Sequence, residues 1–209
     1  MKKPRIALTG EKRILVIFAL VLLAGFVISL WALDFGLVRS EPAIYSQADT
    51  FSAMGPEPDL PGTVYLYLED TDPVSRALEA ELKQDLLSSF TDVKSYGNLK
   101  EQFEGPVVAV FVLREDHFYT PFYATADADV LYCFSSSGST RYFEDFLRSE
   151  FGAPEPVVHF SSADGPQLLQ KGVVSVQIST RGLFSWRASK RYLAEPVSRE
   201  IVTKLRSLP

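Results

Sequence analysis

Twenty consecutive residues, Ile14 to Leu33 (ILVIFALVLLAGFVISLWAL), carry no charge, and Ser29 is their only polar side chain. A helix rising about 1.5 Å per residue covers about 30 Å over such a run, the thickness of a bilayer's hydrocarbon core. The run therefore predicts a transmembrane helix, and that expectation divides the chain into a basic segment (1–13), the span (14–33), a tether (34–62) and one domain (63–209).

Charge gives the expected span a direction. Lys2, Lys3, Arg5, Lys12 and Arg13 precede it against Glu11 alone, whereas Asp34, Arg39 and Glu41 follow it. Positive charge on the N-terminal side predicts a single-pass protein of the cell membrane, with a cytoplasmic N-terminus and an extracytoplasmic C-terminal domain. A cleaved signal needs a shorter apolar core and a small-x-small cleavage site, which Ser29 and Ala32 do not form, so an uncleaved signal-anchor is expected.

Between Asp34 and Gly62 stand Pro42, Pro56, Pro58 and Pro61, a density that removes backbone donors and predicts an extended tether, with a short helix over Ala43–Met54 as the alternative. The chain's net charge is −5, but residues 181–209 are basic, so the body of the domain is strongly acidic. Cys133 is the only cysteine, which excludes an intrachain disulfide and leaves the fold to its core.

From Thr63 the pattern is that of an α+β domain: a mixed sheet with about three packed helices. Val64, Leu66 and Leu68 alternate with Tyr65 and Tyr67 as in a strand. Asp72-Pro73 opens a helix whose stripe is Val74, Leu78, Leu82, Leu86 and Phe90, widened by Leu87. A short strand is expected at Asp92–Tyr96, and a helical turn over Leu99–Phe103. The continuous apolar run Val107–Leu113 is placed as a central strand buried on both faces. Phe118–Ala124 and Val130–Phe134 read as further strands joined by a hairpin loop at Thr125–Asp129. A helix is expected over Arg141–Phe151, strands at Val157–Phe160, Val173–Ile178 and Leu183–Trp186, and a last helix opened by Pro196.

Two stretches could carry function. Ser135–Thr140 (SSSGST) lies between a strand and a helix, where glycine and convergent amides can hold an anion with Arg141; the candidate binding residues are Ser135, Ser137, Gly138, Ser139, Thr140 and Arg141. The pattern S-x-S-G-x-T, matched by Ser135, Ser137, Gly138 and Thr140, resembles the phosphosugar-binding loop of sugar isomerase domains over about a dozen residues. That resemblance implies a phosphate ligand, while the hairpin expected before the loop departs from that family's parallel sheet. The other stretch is RGLFSWRASKRY (181–192), where Trp186, Arg187, Lys190 and Arg191 interleave aromatic and basic groups suited to anionic headgroups, a polyanionic polymer or an acidic protein.

Catalytic signals are sparse. His117 and His159 are the only histidines, no G-x-S-x-G elbow accompanies them, and neither has ligand-like spacing for a metal, so no catalytic residue, metal or cofactor is assigned. The expectation is a non-enzymatic interaction protein or accessory subunit of an envelope assembly. It would meet the membrane through Ile14 to Leu33, bind a protein partner and avoid nucleic acid. An anion-binding or sensing domain using Ser135–Arg141, and a hydrolase, are the alternatives.

Overall fold

The computed structural model describes residues 10–52, 62–69, 73–160 and 167–208, with the side chains of residues 10–13 and 31 outside that description. Its elements in order are α1 (Gly10–Ala32), β1 (Gly36–Ser52), β2 (Thr63–Leu68), α2 (Pro73–Leu86), β3 (Asp92–Tyr96), β4 (Val107–Thr120), β5 (Tyr123–Ser135), α3 (Phe143–Ser149), β6 (Leu168–Phe184) and α4 (Trp186–Arg206). The six strands form one mixed sheet in the order β1-β6-β5-β4-β2-β3. Strand β2 runs parallel to both β3 and β4, and every other pairing is antiparallel.

The expected transmembrane helix is overturned. Among the described residues no helix is long and apolar enough to cross a membrane. In α1 the large apolar side chains are exposed from Ile14 to Ile28, but Leu30 is only 5% exposed, at the end of the helix that meets α4. The free apolar stretch is thus about 22 Å long, short of the roughly 30 Å of a bilayer core. The single-pass signal-anchor reading of residues 14–33 falls with it.

The expected tether is corrected as well. Its residues Gly36–Ser52 form β1, paired along its whole length with β6, and no helix forms over the described part of Ala43–Met54. Proline at 42 is compatible with this because β1 is an edge strand, where a missing donor need not break a ladder on both sides. Residues 53–61, which hold the other three prolines, lie outside the described residues.

Helices α2 and α4 cover one face of the sheet. Val74, Leu78, Leu82 and Leu86 of α2 and Leu193, Val197, Ile201 and Leu205 of α4 bury against Val64, Leu66, Val108, Val110, Val130, Tyr132, Val174 and Val176. On the opposite face α3 and the 99–103 loop cover one end of the sheet, with Phe143, Phe146 and Phe103 against Tyr65, Val107, Ala109, Leu131 and Cys133, and with Leu169 of β6 and Phe51 of β1 joining the same cluster. Leu87 lies past the end of α2 and is exposed, so it does not widen the stripe, whereas Phe90, also beyond the helix end, still packs against the same core.

Two hairpin boundaries move relative to expectation. The β4–β5 turn falls at Pro121-Phe122, and Thr125–Asp129 lies inside β5. Ala124, Ala126 and Ala128 are buried under α4 while Thr125, Asp127 and Asp129 face the other way, the period of a strand with one polar face. The expected turn at Arg181-Gly182 is instead part of β6, and Val157–Phe160 is not a strand. Nor does Pro196 open the last helix. Ser185 caps α4, its Oγ accepting the Ala188 amide hydrogen at 3.1 Å, and Pro196 sits inside.

Candidate functional site

The serine-rich loop follows β5, and its polar groups are turned inward to hold the fold. The Ser136 hydroxyl accepts from the Leu168 amide at 2.8 Å, and Thr140 Oγ1 donates to the Lys100 carbonyl at 2.6 Å. Ser135 and Ser137 hydroxyls lie 3.3 Å apart. The Thr140 amide donates to Glu101 O at 3.1 Å, and Gly138 O accepts from the Phe103 amide at 2.9 Å. Gly138 has φ +79°, and a side chain there would strike the Phe103 and Gly105 carbonyls, so glycine serves the turn's close approach. The loop is thus stitched to residues 99–103.

The hollow beside it, of about 580 Å³, includes Ser139, Arg141 and Lys100 but also Glu101, Glu144 and Asp145, a lining that does not favour an anion. The α3 helix that follows has only seven residues, and Tyr142 at its start gives no side-chain cap. The strand before the loop belongs to an antiparallel hairpin with β4, unlike the parallel sheet of the sugar isomerase resemblance.

The histidines lie on opposite faces of the sheet. His117 of β4 faces α4 and stacks on Trp186 with ring centroids 4.9 Å apart, its Nδ1 buried without a hydrogen-bond partner. Burial, reinforced by Lys190 and opposed by Asp116, lowers its pKa from 6.5 to about 4. His159 lies beside α3, where its backbone amide and carbonyl bracket the Tyr142 hydroxyl at 3.0 and 2.8 Å. The two cannot share a substrate. Cys133 is fully buried, and burial pushes its thiol far up, which makes it inert. Among the described residues no group of three or more His, Cys, Asp or Glu could hold a metal.

Lys171 is another buried polar group, bonded to Glu150 (2.6 Å), Glu155 (3.2 Å) and Ser149 (3.0 Å). Burial alone would lower its pKa, but the bonds to Glu150 and Glu155 outweigh that and raise it. It clamps the end of α3 to β6 as a permanent cation.

The basic stretch is what the fold gathers into a site. Trp186, Arg187, Lys190 and Arg191, on the first turns of α4, line a groove of about 560 Å³ together with Asp34 and with Pro73, Arg76 and Glu81 of α2. Trp186 is its floor: Lys190 lies 4.3 Å above the indole centroid and is itself only 6% exposed, while Tyr119 packs edge-on at 5.1 Å. Arg191 pairs with Asp34 at 2.7 Å. The adjoining Phe35 backbone exchanges hydrogen bonds with Ser185, which ties the segment between α1 and β1 to the helix start. Burial, then Glu195 and Asp85, raises the pKa of Glu81, against the opposing pull of Arg191 and Arg199.

Arg76 and Asp34 escaped the sequence reading. Each stands far from residues 181–192 in the chain, and only Arg76's position off the apolar stripe of α2 hinted at a surface role. Arg181, by contrast, leaves the cluster and lies with Arg39, Glu41 and Ser179 in a separate hollow.

No family model matches this chain, and no curated protein matches it significantly. It is similar to the PelC dodecamer from Paraburkholderia phytofirmans at 12% identity and a TM-score of 0.38, the match covering 78% of this chain and 100% of that one. A single-substitution form of the same dodecamer matches at 12% identity and a TM-score of 0.31, over 72% and 94% of the two chains. Likeness at that level says nothing about activity.

Proposed function

We propose that this chain is a non-catalytic interaction protein, an accessory subunit of a larger assembly, whose α2–α4 groove receives an acidic segment of a partner protein. The observation that carries the reading is the placement of Arg187, Lys190 and Arg191 on the first turns of α4, with no acidic residue in the first turn. A helix N-terminus already carries partial positive charge, and Arg187, in the first turn of α4, costs about 0.3 to 1 kcal/mol of helix stability there. Arg76 adds a fourth cation from α2. A positive field concentrated beside the half-buried indole of Trp186 suits carboxylates flanked by apolar side chains. The exposed apolar side chains of α1 fit the same picture, since a contiguous apolar surface of that size is ordinarily covered by something.

Titration of the full chain with a poly-glutamate peptide, followed by the fluorescence of its two tryptophans, tests this. Binding should weaken as salt rises, and the variant Arg76→Glu, Arg187→Glu should lose affinity about ten-fold or more. Both side chains are exposed, so the variant should fold as the parent does. Unchanged binding in that variant, or no binding by the parent, would refute the reading.

A further inference from the structure

Strand β1 is an edge. It pairs without a bulge with β6 from Gly36 opposite Phe184 to Ser52 opposite Leu168, and among the described strands none lies on its other side. Its 17 residues present an outer row of unpaired backbone groups about 56 Å long. Long edges are ordinarily guarded by lysines, bulges or inward charges, because they template pairing with another chain. Here the guard is slight: Pro42 and three charged residues, Arg39, Glu41 and Asp49.

We propose that a second copy of this chain pairs with β1 edge to edge and antiparallel, about a two-fold axis at Ile44. Ile44 is the midpoint of the strand, so this register brings the whole of Gly36–Ser52 into the ladder. It is also the register in which the strand complements itself. Arg39 falls opposite Asp49, Glu41 opposite Gln47, Leu37 opposite Phe51 and Ala43 opposite Tyr45, all on the face turned away from α4. An axis at Tyr45 would set Glu41 against Asp49, like charge against like. An axis at Ala43 would leave Arg39 against Gln47 and Asp49 against Leu37. Pro42, opposite Ser46, costs that ladder at most one donor in each copy.

The helix side leaves room for the second copy. α4 packs over β6 and β1, and between them runs a groove of about 320 Å³ lined by Ser40, Pro42, Ile44, Tyr192, Arg199 and Glu200. In the pair, the two β6 strands would stand three strand spacings apart, about 14 Å, which seats two helices of about 10 Å diameter side by side. Ile44, 42% exposed in one copy, would meet its equivalent on the axis.

Cysteine crosslinking of the full chain reads the register directly. Residues directly opposite in an antiparallel pair have Cα atoms about 4.5 to 5.5 Å apart, within disulfide reach. Ile44→Cys should therefore form a covalent dimer of twice the 23.3 kDa chain mass when copper-phenanthroline passes the electrons and protons of the two thiols to dioxygen. Glu41→Cys, whose equivalent in the second copy lies about 20 Å along the ladder, should stay monomeric. The native Cys133 is fully buried in mid-sheet and does not compete. In sedimentation, Arg39→Asp should raise the dimer dissociation constant about ten-fold, and Arg39→Asp with Asp49→Arg should restore it. A chain that is monomeric at all concentrations, equal crosslinking at both positions, or self-association that Arg39→Asp leaves unchanged would overturn the proposal, the last by placing self-association on another surface such as α1.

Discussion

His117 offers the sharpest test of how the α4 side of the sheet is built. Position 117 on β4 points toward α4 because it alternates with Asp116 and Phe118, and there its ring lies against Trp186 with Nδ1 unpaired and the Lys190 ammonium close to the same indole. Charging the imidazole would bury a cation beside a cation, so its pKa falls to about 4 in the folded chain against about 6.5 when unfolded. Between those values the unfolded chain takes up a proton that the folded chain refuses, so stability falls as pH drops from 6.5 toward 4, and the group contributes no slope above that window. At about 1.4 kcal/mol per pH unit the undiscounted penalty is about 3 kcal/mol, and partial exposure of the ring screens it to about 2 kcal/mol. Replacing His117 with Phe keeps the stacking and removes the proton. Urea denaturation of both chains at pH 7.5 and pH 4.5 cancels the carboxylates they share, and the parent should lose about 2 kcal/mol more than the variant over that interval. Two stability profiles that run parallel within about 0.5 kcal/mol would mean that the ring is not held neutral.

The remaining expectations concern the core and one backbone position. Leu82→Ala, fully buried between α2 and the sheet, should cost about 3 kcal/mol in denaturant midpoint analysis, whereas Leu87→Ala, exposed beyond the helix end, should cost under about 0.5 kcal/mol. Equal losses at the two sites would show that Leu87 is buried with the stripe of α2. Gly182→Ala should destabilise by about 2 kcal/mol or more, because φ is +131° there and a methyl group would collide with the Leu37 carbonyl across the β1–β6 ladder. A neutral result would place the β1–β6 pairing elsewhere.

Local periodicity made β2, α2 and β3 legible from the chain itself, since their apolar residues recur at spacings that only a strand or a helix can bury. The same reasoning failed where one property masked another. Thr125–Asp129 carries two aspartates, which suggest a loop, yet its alanines at 124, 126 and 128 pack under α4 and make the segment a strand. In α4, Pro196 suggested a helix start, while the true start lay eleven residues earlier at the Ser185 cap, whose helix side chains, Trp186 and Arg187 among them, look like surface rather than core. Of the candidate groove, Trp186, Arg187, Lys190 and Arg191 were visible as a basic aromatic run; Arg76 and Asp34 were not, because nothing in a linear chain relates position 76 to position 187.

Composition and spacing by themselves determined that this chain must rely on an apolar core without disulfides, that its domain mixes strands with helices, and that charge gathers at one end. Tertiary structure alone decided what becomes of the segments that flank that core. Residues 14–28 remain an apolar helix too short in its free part to cross a bilayer, and residues 36–52 become the longest edge of the sheet. The physical reason is that burial and backbone pairing are settled between distant parts of the chain: β1 gains its ladder only once β6 exists to receive it, and the groove exists only where α2 meets α4.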